Sequence, residues 1–556
     1  MNQMYNTPSS FQESTAESEN MTAADATVSS LITNGIDTVY ALPGLHNDPF
    51  FDSCYRAKNL RVIHPRHEQA CGYMALGAAL STGRAQVSAV VPGPGLLNTS
   101  AAILTAEGMC APVLTIAGQI PQADIDRKHG HLHEIRDQMG LASHIAKYTQ
   151  RIKAPHEAPQ VIDQAISAMF SDRPGPAVVE CAMDVWARRG AVRPMPANSG
   201  VTPPAVDEDA VRLAAEVLSS ASNPMIIVGG GALEASQEIL ALAELTGAPV
   251  LSYRRGRGVI PSDHPLAINL PIGYRLWPKV DVAVAVGTRF FVQEKQWGID
   301  KDLKVIRIDA DPEAAERLQQ PAVSLVGDAA AYTGALVKRL EQSKANKSQK
   351  QDLEPHRQWF ADRLTPLQPQ ADYLTAIRSA LPRDGIFVDE VTQVGFASRL
   401  AFPVYSPRTF LSPGYQDNLG WGYGTALGAQ AANPNKAVVA IAGDGGFLYQ
   451  IGELATAALH SLPVVAVVFD NGMFGNVMRI QKERFGGRYI GAQLKSPDFM
   501  KVAEGFGVNG LRANSPKELE KKLGYALALR EPALIHVPCG EMPSVWDMIL
   551  APRIRG

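Results

Sequence analysis

The sequence predicts an α/β protein built from three parallel-sheet units. The chain of 556 residues is too long for one hydrophobic core. From about Met21 onward, short Val/Ile/Ala runs alternate with helical patterns, which is how βαβ units read in sequence. Two stretches interrupt that alternation: the Pro/Gly-rich "RRGAVRPMPANSGVTPPAVDE" and the charged, Gln-rich "LVKRLEQSKANKSQKQDLEP".

The elements follow in order. The opening "MNQMYNTPSSFQESTAESEN" is polar and lacks the charged-then-apolar order of a signal peptide, so residues 1–20 read as a disordered lead-in. The first unit spans 21–188. A central unit, 203–345, contains "PMIIVGGGALEASQEILALAELTGAPVLS", and a third unit spans 371–556. In the third unit "GIFVDE", "AVVAIAGDG", "PVVAVVFDNG" and "PALIHVPCG" read as buried strands.

Composition sets limits on function. Apolar residues make up 46% and charged residues 19%, ordinary for a soluble globular protein. A net charge of −3 gives no electrostatic reason to expect nucleic acid or an anionic membrane as partner. No apolar run reaches the about 18 residues of a membrane span. Five scattered cysteines without a CxxC pair read as reduced thiols of a cytoplasmic protein.

The chemistry concentrates between Ala437 and Asn476, "AVVAIAGDGGFLYQIGELATAALHSLPVVAVVFDNGMFGN". In parallel sheets ligands bind beyond the carboxyl ends of strands. Asp444 stands at one such end, and Asp470 and Asn471 stand at the next. Gly443, Gly445 and Gly446 let backbone N–H groups approach a phosphate near a helix N-terminus. A carboxylate and an amide oxygen beside a phosphate suit Mg²⁺. The stretch therefore reads as a metal-diphosphate cradle.

The same stretch resembles the thiamin diphosphate motif of the acetolactate synthase, benzoylformate decarboxylase and benzaldehyde lyase superfamily: GDG, some 25 to 30 residues, then NN or DN. The resemblance runs along nearly the whole chain from about Met21. It implies that the first unit is a pyrimidine-binding domain, the second a central Rossmann-like domain, and the third a diphosphate-binding domain. It also implies that Asp444, the Asn471 side chain and the Met473 carbonyl hold Mg²⁺, and that Phe474 closes the motif beside the cofactor. "VIHPRHEQACGYMALGAAL" looks like the family's glutamate segment, which makes Glu68 the cofactor-activating carboxylate. "NLGWGYGTALGAQ" puts Leu419 where a bulky apolar residue bends the cofactor, and "DEVTQVG" makes Thr392 and Gln393 candidate diphosphate contacts.

Substrate residues vary among relatives. By resemblance to benzaldehyde lyase, His46 in "ALPGLHNDPF", preceded by Leu45, is a candidate proton shuttle. In "HGHLHEIRDQMG" either His133 or Glu134 aligns with a family glutamine. His129 and His131 have a metal-like spacing, but no compact carboxylate or cysteine set accompanies them, so they read as an exposed loop cluster. Ile480 stands where acetolactate synthases carry a pocket tryptophan, and with Asn476 it is expected to shape the substrate pocket. "IIVGGGAL" is only superficially a dinucleotide fingerprint, and FAD is not expected.

The reading is a thiamin diphosphate- and Mg²⁺-dependent non-oxidative lyase or carboligase, acting on a 2-oxo acid, aldehyde or acyloin. It is acetolactate synthase-like without being the housekeeping synthase. The resemblance implies a homodimer or homotetramer with sites shared between subunits. An FAD-dependent 2-oxo acid oxidase, a CoA-thioester decarboxylase and a noncatalytic homologue are the alternatives.

Overall fold

The computed structural model describes residues 17–200, 204–314, 317, 320–343 and 351–556. It has three six-stranded parallel sheets, each flanked by helices, as the alternation predicts. In the first sheet the strands lie in the spatial order Arg61–Ile63, Thr38–Ala41, Gln86–Val90, Val113–Gln119, Ala177–Ala182, Tyr148–Ile152. The third sheet repeats this topology with Phe410–Leu411, Ile386–Val388, Val438–Gly443, Val464–Asp470, Ala533–Pro538, Asn509–Arg512. The central sheet is wound differently. Counted along its own unit the order is 3-2-1-4-5-6, the doubly wound nucleotide-fold order.

The structure bears on the sequence expectations at three places. Most of the expected lead-in, and residues 203 and 344–345 at the ends of the central unit, lie outside the described residues. Glu19 and Asn20 do not belong to a disordered lead-in: strand Glu19–Thr22 pairs antiparallel with Arg189–Val192, itself the start of the supposed first linker. Backbone pairing to a neighbour overrides the polar composition of both segments. Gly229 and Gly231 pack against the backbone at Gly287 and Thr288, where a Cβ would collide, while Gly230 faces the Arg255 guanidinium. These glycines thus serve contact between strand ends.

The first and third units meet through two small-residue helices, Glu68–Thr82 and Gly422–Ala432, which share one apolar core. Contact is close because glycines face backbone: a methyl on Gly77 would strike the Thr425 carbonyl, and one on Gly428 the Met74 carbonyl. The crossing fixes the third-domain sheet against the helix that begins at Glu68.

The candidate active site

Strands Val438–Gly443 and Val464–Asp470 are parallel neighbours, with Gly443 opposite Phe469. Parallel neighbours release their chains at one edge, so Asp444 and Asn471 emerge side by side. Below them Ser496 ties the two turns together, its hydroxyl lying 2.7 Å from Asp470 Oδ1 and 3.1 Å from Asp444 Oδ2. His536 Nε2 lies 3.0 Å from Asp470 Oδ2. Asp470 is therefore used up in fixing the turn, whereas Asn471 remains at the cleft. The Asn471 amide donates to Gln393 Oε1 at 2.9 Å, and its oxygen accepts the Met473 N–H at 3.2 Å. Burial, and then Asp470 nearby, push the Asp444 carboxyl above its ordinary value, against the hydrogen bond from Ser496. A cation at this point would reverse that cost.

These groups open into a cleft of about 660 Å³. Thr392, Gln393, Leu419, Gly443, Asp444, Gly445, Gly446, Asn471, Met473, Phe474 and Asn476 all line it. Gly445 is required because a Cβ there would meet the Phe474 ring at 2.5 Å. Leu419 is clamped from both sides. On one side Arg399, buried, binds Asp389 at 2.8 Å and Asp417 at 2.6 Å. On the other, Glu390 accepts the N–H of Gly420 at 2.7 Å and that of Gly422 at 3.3 Å. Glu390 is fully buried, and desolvation raises its pKa to about 7 against the two backbone donors.

The first-unit candidates stand elsewhere. Among the described residues, no first-unit residue lines the cleft. Glu68 starts its helix at the first turn and accepts from Asn98 Nδ2 at 3.0 Å. The preceding loop is held by Glu453, whose carboxylate accepts the N–H groups of Arg66 and His67. Leu45 is exposed and His46 buried in the short turn before helix Asp48–Arg56. His46 does not cap that helix. Its Nε2 donates to the Leu132 carbonyl at 3.0 Å and its ring stacks on His133, centroids 5.1 Å apart. That pairing places the ring proton on Nε2, leaving Nδ1 buried without a partner. Burial lowers the His46 pKa, the hydrogen bond to Leu132 opposing it. Burial thus favours the neutral ring.

Of the substrate-pocket candidates Leu45, His46, Glu134, Asn476 and Ile480, only Asn476 lines this chain's cleft. Glu134 turns back into its own loop and accepts the N–H of Gly130 at 2.6 Å and of His131 at 2.9 Å. Ile480 lines no part of the cleft in this chain. Helix Gly475–Arg484 instead turns Arg479 inward, where its guanidinium bonds Asn476 and Glu483 and lies over the Trp546 ring.

The sequence reading missed Glu390 and the wall formed by Glu541, Met542, Ser544 and Trp546. The wall follows strand Ala533–Pro538, so the strand-end rule applied to "PALIHVPCG" would have found it. Glu390 carries the same strand-end signal, two residues after strand Ile386–Val388, but its partners Gly420 and Gly422 lie thirty residues or more away in sequence.

Residues 21–141, 211–336 and 390–537 match the N-terminal TPP binding domain, the central domain and the C-terminal TPP binding domain of thiamine pyrophosphate enzymes. The chain belongs to the thiamin diphosphate enzyme family. A probable acetolactate synthase large subunit of Methanocaldococcus jannaschii is 32% identical, over 94% of this chain and 93% of that protein. A probable 2-ketoarginine decarboxylase of Pseudomonas aeruginosa is 31% identical over 90% and 91%. The acetolactate synthase large subunit of Corynebacterium glutamicum is 29% identical over 96% and 90%. As a thiamin diphosphate-dependent enzyme, the chain builds most of its cleft from the region matched to the C-terminal domain, with the 539–546 segment just beyond that match, and carries Glu68 and His46 in the N-terminal one.

Proposed function

We propose that this enzyme is a Mg²⁺-dependent, non-oxidative lyase or carboligase that makes or breaks the bond next to a carbonyl. The observation that supports it most is the convergence of Asp444, Asn471 and the Met473 segment with open glycine backbone in one cleft, beside an immobilised Leu419. The residues present fit the cofactor. Their donor set toward a cation is all oxygen, as Mg²⁺ prefers. A Cβ on Gly443 would find its nearest neighbour at 3.7 Å, so the backbone there is open to a phosphate.

Asp444, the Asn471 oxygen and the Met473 carbonyl would hold the metal, and the N–H groups of Gly445 and Gly446 the diphosphate. Thiamin diphosphate, when bound, supplies the nucleophilic carbon that neither protein side chains nor Mg²⁺ provide. Leu419 would set its bulk against the cofactor, since its loop cannot retreat from the clamps at Asp417 and Gly420. Glu68 would supply the carboxyl that hydrogen-bonds to the cofactor and activates it. His46 moves a proton at the substrate oxygen through Nδ1, the one ring nitrogen with no partner. The substrate is a 2-oxo acid or an acyloin; the names of relatives that make acetolactate or decarboxylate 2-ketoarginine support the first.

Purified enzyme with thiamin diphosphate and Mg²⁺ should be offered pyruvate, other 2-oxo acids, acyloins and simple aldehydes, with products identified by NMR. Carbon dioxide or aldehyde release is expected, abolished by chelation and by Asp444→Ala. Full turnover by Asp444→Ala or by Glu68→Gln would refute the assignment.

A further inference from the structure

The loop after strand Val113–Gln119 passes through a short turn at Gln122–Asp124 and then doubles back. Asp126, Lys128 and Gly130 have φ of 69°, 59° and 77°. Alternate left-handed residues coil the loop tightly and bring both histidines onto one carboxylate. His129 Nδ1 lies 3.3 Å from Asp124 Oδ1, and His131 Nε2 lies 3.1 Å from Asp124 Oδ2. Potential ligand atoms from all three residues fall within 4.8 Å of one another. The spacing of these histidines in sequence brings no carboxylate with it; the fold supplies Asp124.

A tetrahedral Zn²⁺ with bonds of about 2.0–2.1 Å has ligand-to-ligand edges of about 3.4 Å. The observed spacings approach that geometry. Two imidazoles and one carboxylate favour a borderline transition metal over Mg²⁺ or Ca²⁺, which take oxygen. Side-chain exposures of 57%, 34% and 30% for His129, His131 and Asp124 leave an ion a path from solvent. The cluster is also connected. Glu134 holds the backbone of Gly130 and His131 from the far side. The next residues, Leu132 and His133, are the carbonyl acceptor and the stacking partner of His46.

We propose that Asp124, His129 and His131 form a binding site for a transition-metal dication of the Zn²⁺ class, with three protein ligands and an open fourth position. The bound ion clamps residues 122–134 and thereby the seat of His46. The site is separate from the strand-end cleft and does not depend on the function proposed above.

Full-length protein saturated with Mg²⁺ and thiamin diphosphate should be titrated with Co²⁺ as the probe. One equivalent is expected to give visible ligand-field bands that Zn²⁺ displaces. The His129→Ala/His131→Ala double variant should bind Co²⁺ weaker by at least the ~10–100-fold that losing even an outer-sphere partner costs. Asp124→Asn should weaken binding likewise, and both variants should melt close to wild type without added metal, none of the three side chains being buried. Hydrogen exchange across 122–134 should slow when Zn²⁺ is added to wild type. No bands in wild type, or equal Co²⁺ affinity in the variants, would mean ordinary His–Asp pairs and overturn the site. Bands without slowed exchange would overturn the clamp.

Discussion

Glu390 accepts the Gly420 N–H at 2.7 Å from a position with no exposure to solvent worth counting, 30 residues back along the chain. Because its pKa rises from 4.5 to about 7 on folding, the folded state holds this proton more tightly than the unfolded one. The associated stability is fully present below pH 4.5 and is lost as pH rises through 7, by up to about 3 kcal/mol. Glu390→Gln keeps an oxygen acceptor for Gly420 but cannot titrate. Thermal melts at pH 5 and pH 8 should therefore show wild type losing stability relative to the Gln variant at the higher pH. A pH-independent difference would refute the assignment.

The separation of Glu68 from the cleft in one chain leads to a mixing experiment. If the first unit of one subunit completes the cleft of another, Glu68→Gln and Asp444→Ala subunits should complement each other. Each hybrid dimer would hold one intact site, so random reassembly should restore about a quarter of wild-type activity. Activity that stays at zero after verified subunit exchange would place both residues in one chain's site.

His46→Gln separates scaffold from chemistry. The glutamine amide can still donate to the Leu132 carbonyl, but it cannot carry a proton between pH 6 and 8. We expect kcat to fall about 10²–10⁴-fold, as general acid–base losses do, with the melting temperature nearly unchanged. An unaltered rate with an altered melting temperature would assign the ring to the turn alone.

Gly428→Ala tests the helix crossing. A methyl there meets the Met74 carbonyl, which belongs to a helix backbone and cannot swing aside. Overpacking of this kind costs about 1–3 kcal/mol, so the melting temperature should drop, while the equivalent change at Gly524, inside helix Pro516–Leu529 with open space around it, should raise it slightly, by the ~0.5–1 kcal/mol that alanine gains over glycine in a helix.

Much of the fold was legible because strands that are buried on both faces read as unbroken apolar runs. Val438–Gly443 and Val464–Asp470 fall where the runs end. The cradle was legible for the same reason: once two consecutive strands are parallel, the residues following each must leave at the same edge, so Asp444 and Asn471 meet without any knowledge of packing. Pocket residues were less legible. Asn476 and Ile480 lie one helical turn apart, and only the packing of Arg479 on Trp546 decides which of them reaches the cleft.

What the sequence determined by itself was therefore local or periodic: the βαβ alternation of each unit, the turn chemistry of GDGG and DNG, and the glutamate segment at Glu68. The tertiary structure alone decided the pairing of Glu390 with Gly420, the return of the 541–546 segment to the cleft, and the joining of Asp124 to His129 and His131. It also decided that Glu19 pairs with Val192. Each of these depends on how chain segments close on one another in space, through loop conformation and domain packing, and neither hydrophobic period nor residue spacing encodes that closure.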